Sequence, residues 1–288
     1  ILWDYLINKE KIKIHFAHRT FDWSNQAKAN AAVYVVIIGF ASFDTKLKLL
    51  YDYETPTSDP VGVKASNINP YLLNQKDIIF KNRSKPLCEV PEISFGCMPN
   101  DNGNFLFTDL EKDEFLKEEP GAKKYIFPFI SAREFLHNEK RWCLWLQDVN
   151  PSEIKKLPKV EERIKNVKAC RLKSRRESTR RLAETPYLFG EIRQPDSGNY
   201  ILIPRHSSEH RKYIPIDFLS YNNIVGDSCC IVKNATLYHF GVLTSAMHMT
   251  WIRHVCGRLE SRYRYSNNIV YNNFPWPENP SAKQIEEV

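Results

Sequence analysis

The densest chemistry in this sequence is a basic stretch between residues 151 and 184, which holds twelve Lys or Arg and five Glu. Its centre has a single acid, Glu177, among six cations: Arg171, Lys173, Arg175, Arg176, Arg180 and Arg181. On one continuous helix, positions 173, 176 and 180 share a face, as do positions 171 and 175. Each phosphate neutralised by such a stripe releases counterions. The pattern predicts contact with a nucleic-acid backbone, with a solvated helix face as the alternative.

A second polar segment, residues 204–213, lies between two apolar stretches and is therefore expected to form an exposed loop. Its side chains suit base edges: Arg pairs with guanine, Glu accepts from cytosine, and Ser serves either. The candidates are Arg205, Ser207, Glu209, Arg211 and Lys212. On composition alone, an ordinary polar loop is the simpler interpretation. Glu191 and Arg193 form a weaker candidate of the same kind, and they could simply pair with each other.

The sequence lacks the spacing that metal sites and common catalytic motifs require. Its seven Cys include no C-x-x-C pair, and no His stands at ligand spacing from a Cys or carboxylate. There is no nucleophile elbow, phosphate loop or G-x-G-x-x-G motif. We therefore expect reduced thiols, structural histidines, no metal and a cytoplasmic location.

The composition is that of a folded protein without a membrane span. The chain has 288 residues, 42% of them hydrophobic, and a net charge of +7. No stretch approaches the roughly 20 apolar residues of a spanning helix. The first residues show neither a signal peptide nor an initiator Met, so we expect the chain to begin inside a longer protein.

The N-terminal elements are expected to be strands. Residues 11–18 alternate in polarity, and residues 46–53 keep apolar side chains in step. Residues 31–41 are apolar on both faces, which is typical of a strand inside a sheet that is covered on both sides. Residues 21–30 are expected to form a short helix or a tight loop. The Pro-rich segment at 55–60 indicates a boundary near residue 55.

The later elements must position the two polar segments. Asn150 is expected to cap a short helix, and a longer helix should run from Pro158 to about Ala183. Its predicted buried stripe is Val160, Ile164, Val167 and Leu172. Strands are expected at residues 200–203 and 214–216, a helix at about 235–257, and the start of another helix from Ser281.

A family resemblance adds to this pattern. Residues 21–33, Phe-Asp-Trp-Ser-Asn-Gln-Ala-Lys-Ala-Asn-Ala-Ala-Val, lead into the apolar residues 35–40, and together they resemble motif VIII of gamma-class amino-methyltransferases. They are most similar to the MmeI-like family of combined restriction–modification enzymes, of Type IIG or IIL. Further segments resemble that family's recognition domain, in order along the chain: residues 67–72, 98–103, 141–146, 204–209, 240–249, 256–259, 263–266 and 271–275.

The resemblance implies an α+β chain in which a mixed-sheet target-recognition domain follows the last strands of a Rossmann-like methyltransferase domain. We expect methyltransferase strands at 1–54, the recognition domain at 55–275, and the start of a helical segment at 276–288. The cofactor motif and the catalytic Asn-Pro-Pro motif would lie upstream, since no Asn-Pro-Pro occurs here. The fragment itself is therefore expected to be inactive and to bind no cofactor.

The resemblance also implies roles for named residues. The parent would transfer a methyl group from S-adenosylmethionine to adenine N6, and such enzymes take the base out of the stack. Phe21 or Trp23 would stack on that base, with Asn25 as polar support. Base recognition would rest first on Glu209 and Arg211, then on Lys212, Ser207 and Arg205.

The implied partners are double-stranded DNA and the rest of the same polypeptide, which includes the catalytic domain and could include a nuclease. Two other hypotheses stay open from the residues alone. The first is a stand-alone nucleic-acid-binding module. The second is a protein–protein scaffold that uses the aromatic-rich C-terminal part. A complete hydrolase is disfavoured by the missing motifs.

Overall fold

The protein is described here by a computed structural model that covers residues 2–23 and 33–288. Its strands are β1 Lys13–Trp23, β2 Val33–Ala41, β3 Lys48–Asp52, β4 Val61–Ala65, β5 Ile93–Phe95, β6 Leu106–Phe107, β7 Ile126–Ile130, β8 Trp142–Leu144, β9 Asn199–Pro204, β10 His206–Ser207, β11 Asp217–Ser220, β12 Ile224–Val225, β13 Cys229–Lys233, β14 Gly257–Leu259 and β15 Arg262–Arg264. Its α-helices are α1 Leu2–Asp4, α2 Asp109–Glu118, α3 Ala132–His137, α4 Pro151–Ile154, α5 Pro158–Leu172, α6 Glu177–Arg181, α7 Leu237–Leu243, α8 Ala246–Val255 and α9 Ala282–Glu287.

Contacts divide the chain into two compact units. Unit 1 comprises residues 1–84 and 251–273, and unit 2 comprises residues 85–250 and 274–288. These units group residues by contact, whereas the boundaries expected after residues 54 and 275 concern family domains and stay a prediction. The mixture of helices with sheets of mixed strand direction confirms the predicted α+β class.

Unit 1 is built on a four-stranded sheet in the order β2-β1-β3-β4. Strand β1 pairs antiparallel with β2 and parallel with β3. Its core includes Ile14, Ala17, Leu50 and Ile68. The strand predicted at residues 11–18 is confirmed, but it continues to Trp23, so the helix or loop expected from Phe21 is wrong for these first three residues. The remainder of that prediction, residues 24–30, lies outside the described residues.

Strand β2 forms where expected, but in the described part of unit 1 it does not lie inside a sheet that is covered on both sides, as predicted. It is an edge strand, and Val36, Ile37 and Phe40 are 46%, 40% and 50% exposed. The prediction assumed that a strand apolar on both faces must lie between covering layers. The described part of unit 1 does not provide those layers, so the apolar faces of β2 remain at the surface.

Unit 2 contains two four-stranded sheets, ordered β11-β9-β13-β5 and β12-β7-β8-β6. Strand β9 is central in its sheet, and residues 200–203 are fully buried. Helix α5 packs its apolar side chains into a core that also contains Phe105, Phe107 and Phe189. Helix α2 begins at a capping box formed by Thr108 and Glu111.

The long basic helix is shorter than predicted. Helix α5 ends at Leu172, and the chain is not helical again until α6 begins at Glu177. Val160, Ile164 and Val167 are buried as predicted, but Leu172 is 55% exposed and Arg171 is buried in its place. Positions 160, 164, 167 and 171 follow the spacing of one helix face, which explains the exchange.

Three further predictions can be compared with the structure. The helix expected at about 235–257 is two helices, α7 and α8, and residues 214–216 are not a strand. The helix expected from Ser281 is confirmed, with that residue as its cap. Across residues 2–23 and 33–288, we find no helix with the length and apolarity that a bilayer crossing requires.

Candidate nucleic-acid interface

Arg171 is the most deeply buried cation of the basic segment. It is 1% exposed, and its guanidinium donates to five carbonyl oxygens, those of Pro99, Asn100, Leu182, Thr185 and Leu188, at 2.7–3.1 Å. Burial lowers the pKa of this guanidinium. The predicted contact between Arg171 and a phosphate is therefore wrong, because every face of the guanidinium is directed at the protein's own backbone.

The other five cations of the segment are exposed, but they differ in their partners. Arg180 donates to the carbonyl oxygens of Ser174 and Arg175, both at 3.0 Å. Arg181 forms an ion pair with Glu177 at 2.5 Å. Among the described residues, no side-chain hydrogen bond or ion pair engages the remaining three, Lys173, Arg175 and Arg176. We call these three residues the turn cations, because they lie between α5 and α6.

The second polar segment follows the end of β9 at Pro204, and the structure separates its members into two groups. Arg205 packs its guanidinium 4.5 Å from the ring centre of Phe95 and donates to the Asp227 carbonyl at 2.9 Å. Ser207 is 2% exposed, and its hydroxyl has no hydrogen-bond partner among the described residues. Ser207 is thus closed to a base edge in this conformation, which contradicts its predicted role, while Arg205 braces the segment.

The later residues of the segment are accessible. The backbone turns at Ser208, whose carbonyl accepts from the Arg211 amide at 3.3 Å. The carboxylate of Glu209 lies 3.5 Å from His210 Nε2, and its side chain is 24% exposed. Lys212 is exposed, with its ammonium 5.6 Å from the ring centre of Tyr213. The Arg211 guanidinium, in the part of the chain that is described, makes no hydrogen bond or ion pair.

The weaker candidate pair has a structural explanation. Arg193 forms an ion pair with Glu191 and donates to the Gly96 carbonyl at 2.9 Å. The open alternative from the sequence, that the two residues pair with each other, is the one observed. Both side chains are thereby directed at the protein.

Unit 1 carries an aromatic cluster around the motif VIII residues. The rings of Phe21 and Tyr53 stack at 5.1 Å with an angle of 15° between them, while Trp23 is 51% exposed. The Tyr53 hydroxyl lies 2.7 Å from Nδ1 of His18, whose ring stacks on Tyr51 at 4.2 Å. Phe21 is therefore held by neighbours, and Trp23 is the more accessible ring. Asn25, the expected polar support, lies outside the described residues.

Tyr53 and His18 are members of this cluster that were not predicted from the sequence. Tyr51 and Tyr53 are two residues apart on the strand predicted at 46–53, and Phe16 and His18 are two residues apart on the strand predicted at 11–18. Each aromatic pair could therefore have been expected on one face of its strand. What the sequence could not provide is the parallel register that sets His18 opposite Tyr51. The cluster depends on that register.

Histidines and thiols elsewhere have structural environments. His248 is fully buried, Leu243 O lies 2.7 Å from its Nδ1, and burial lowers its pKa to about 4. Burial raises the pKa of the Cys230 thiol to about 12. No group of three His, Cys, Asp or Glu side chains within 2–23 and 33–288 is arranged to hold a metal ion.

Comparison with known proteins gives two family matches along the chain. Residues 74–278 match the family model described as MmeI, target recognition domain, and residues 1–52 match MmeI, DNA-methyltransferase domain. DNA methyltransferase A of Bacillus subtilis (strain 168) is 40% identical over 288 residues, which cover 99% of this chain and 32% of the relative.

A solved structure matches the whole fold. It is that of the Type IIL restriction–modification enzyme MmeI in complex with DNA, with a TM-score of 0.93 and 47% identity. The match covers 99% of this chain and 38% of the other. The chain thus spans about a third of the length of the relatives it matches. It belongs to the MmeI family, as a target recognition domain joined to the end of a DNA-methyltransferase domain.

Proposed function

We propose that this chain selects the DNA site for a parent enzyme that transfers a methyl group from S-adenosylmethionine to adenine N6 in duplex DNA. The observation that carries the proposal is the match of the whole fold to that of DNA-bound MmeI. The parent's place in a restriction–modification system follows the description of the same relative. The choice of adenine N6 is supported by the resemblance of residues 21–40 to motif VIII of the gamma class.

The backbone of the DNA is held by the turn cations. Lys173, Arg175 and Arg176 are exposed, and no carboxylate among the described residues neutralises them. Such cations contribute affinity without sequence choice, because phosphates are the same at every base pair. Arg180 and Arg181 add less, since the protein's own oxygens already engage their guanidiniums.

The bases are recognised by Glu209 and Arg211, with Lys212 beside them. A carboxylate accepts from the exocyclic amine of cytosine, and a guanidinium donates to guanine O6 and N7. Together the two side chains can therefore recognise both bases of one C·G pair and the strand on which each lies. Their accessibility supports this role, in contrast to buried Ser207. Arg205 acts indirectly, because its contacts with Phe95 and Asp227 fix the start of the segment.

The flipped adenine stacks on the aromatic cluster of unit 1. An extruded base must recover the stacking that it loses on leaving the duplex, and an aromatic ring supplies it. Trp23 is the more accessible ring, whereas Phe21 lies against Tyr53. We favour Trp23 as the ring that meets the base and Phe21 as its support.

The methyl donor is held by the part of the parent that precedes this chain. S-adenosylmethionine would supply the methyl group, but the glycines of the four-stranded sheet in unit 1, Gly39 and Gly62, leave no open space for it. Gly39 lies within β2, where a Cβ would come 2.1 Å from the Phe16 ring, and Gly62 lies against Tyr51. These glycines make room for neighbouring side chains rather than for a cofactor.

Exchange of the recognition pair tests the proposal. In the full-length parent, Glu209→Arg with Arg211→Glu should change the methylated sequence at one base pair, since each good base contact contributes about 1–3 kcal/mol of discrimination. The methylated sites are mapped by long-read sequencing of host DNA. The matched control exchanges Arg133 and Glu139, an exposed ion pair of the same residue types. A methylated sequence that stays the same in both variants would remove Glu209 and Arg211 from base recognition.

A further inference from the structure

Unit 1 carries a second concentration of positive charge, separate from the basic segment of unit 2. It lies on the end of α8 and on the hairpin formed by β14 and β15. Four arginines are exposed there against one acid, Glu260, within residues 253–264: Arg253, Arg258, Arg262 and Arg264. Leu and Tyr lie between these arginines in the hairpin sequence, so the arginines do not form an uninterrupted run of charge.

The hairpin holds one arginine in a fixed position. Arg258 lies opposite Tyr263, and its guanidinium stacks 4.0 Å from the centre of that ring. The same guanidinium donates to the carbonyl oxygens of Ser261 at 2.9 Å and Arg253 at 3.3 Å. These contacts join the hairpin to the end of α8. They hold a delocalised positive charge at the surface with little freedom to move.

The other face of β15 presents the accessible cations. Arg262 and Arg264 are two residues apart on one strand, so their side chains point to the same side. Arg262 forms an exposed ion pair with Glu260 at 2.7 Å, which contributes little in water. No hydrogen bond or ion pair engages the Arg264 guanidinium within the described residues. This face therefore offers positive charge to a partner outside the chain.

The surroundings of His254 show which part of unit 1 the arginines approach. Burial lowers the pKa of His254, and the guanidiniums of Arg19, Arg253 and Arg258 lower it further, whereas Asp52 opposes them. Arg19 and Asp52 pair at 2.5 Å between β1 and β3. On those strands Phe21 is two residues beyond Arg19, and Tyr53 directly follows Asp52. His254, at the end of α8, thus lies within electrostatic range both of the hairpin's Arg258 and of the Arg19–Asp52 pair on the sheet that carries the aromatic cluster.

We propose that the β14–β15 hairpin binds the DNA phosphates beside the nucleotide that is flipped toward the aromatic cluster. The inference rests on the proposed function of the chain in DNA recognition. A base leaves the stack by rotation about its own backbone, so a protein that stabilises the flipped state must hold the flanking phosphates. Cations on unit 1 can hold them, because the same unit also carries the stacking rings.

Salt-dependent DNA binding of the 288-residue chain tests the inference. The variant R262Q/R264Q should lower the slope of log K against log salt by about 0.9 for each phosphate that is no longer neutralised. At 0.1 M salt this corresponds to a roughly eightfold weaker affinity for one phosphate and about 60-fold for two. The matched control R133Q/K140Q removes two exposed cations of unit 2 and should keep the wild-type slope. The variant E260Q should bind more tightly than wild type.

The outcomes separate the two proposals. A wild-type chain that does not bind duplex DNA at low salt would contradict the proposed function itself. Wild-type binding with an unchanged slope in R262Q/R264Q would overturn the hairpin inference alone. The variant R262K/R264K keeps the charge and should bind like wild type, which separates a charge effect from damage to the hairpin. If circular dichroism shows that the double variant is unfolded, the single variant R264Q decides, because no described residue pairs with that guanidinium.

Discussion

At the residue scale, Arg171 lies on the buried face of α5, whereas Lys173, Arg175 and Arg176 are exposed. Arg171 was grouped with its basic neighbours by type, yet its spacing from Val160, Ile164 and Val167 sets it on the buried face of α5. That spacing is visible in the sequence. The five carbonyl acceptors are not, because they come from two separate segments, 99–100 and 182–188, and only the folded structure brings them together.

The substitution Arg171→Met should destabilise unit 2. It removes the Arg171 donors from five carbonyl oxygens, of which those of Asn100 and Leu188 accept no other hydrogen bond among the described residues, and each unsatisfied buried group costs about 1–3 kcal/mol. We expect the free energy of unfolding to fall by at least about 3 kcal/mol, measured by urea denaturation. Arg175→Met, at an exposed position, is the control and should change it by less than about 0.5 kcal/mol. Equal urea midpoints for the two variants would contradict the structural role of Arg171.

The recognition segment shows the same division between type and position. Its exposed loop was predictable, because polar residues separate two apolar stretches. The burial of Ser207 was not, because Ser207 lies on the short strand β10, where successive side chains point to opposite faces. Glu209 and Arg211 are partly exposed, so residues with the same predicted role differ in exposure within a few positions.

At the element scale, the break between α5 and α6 has a geometric cause. Arg171 binds the carbonyls of Leu182, Thr185 and Leu188, which follow it by 11, 14 and 17 residues. In a continuous helix, Leu182 would lie about 16 Å further along the axis, beyond the reach of the guanidinium. The chain must therefore turn back after Leu172. The sequence predicts a longer helix because its cations are good helix formers and no Pro or Gly interrupts them.

The break determines which cations reach DNA, and this gives a prediction for the pair R175Q/R176Q. Both arginines lie between the helices, and neither guanidinium makes a hydrogen bond or an ion pair with the described residues. Their removal should lower the salt slope of DNA binding by about 1.8, at about 0.9 per phosphate. The variant R180Q/R181Q removes the same charge from α6, where backbone and Glu177 oxygens engage the guanidiniums, and should change the slope less. An equal change in both variants would favour a continuous stripe over the turn cations.

At the scale of the whole molecule, contacts that are distant in sequence define the units. Residues 251–273 belong to unit 1, although nearly 170 residues separate them from its other part. Asn272 and Asn273 donate to the carbonyls of Arg83 and Lys81 at 2.8 and 3.0 Å, which closes the unit. Local patterns predicted several of the longer elements, such as β1, β2 and α5, but polarity and spacing carry no information on such pairings.

The exposed apolar strand β2 yields a prediction for the parent enzyme. Edge strands present unpaired N–H and C=O groups, and β2 adds exposed Val36, Ile37 and Phe40. We propose that the preceding part of the methyltransferase domain pairs with this edge and covers these side chains. Hydrogen exchange should then show alternate β2 amides that exchange fast in the 288-residue chain and slowly in the full-length parent.

Strand β9 is the internal control, because β11 and β13 flank it on both sides and its amides are paired within unit 2. Its exchange should be equally slow in the chain and in the parent. Equal exchange of β2 in the two proteins, with β9 protected in both, would show that the parent leaves this edge uncovered. Greater protection in the parent that is confined to β2 would locate the contact with the rest of the polypeptide at this strand. The apolar pattern of residues 33–41 would then be explained by burial in the parent's sheet.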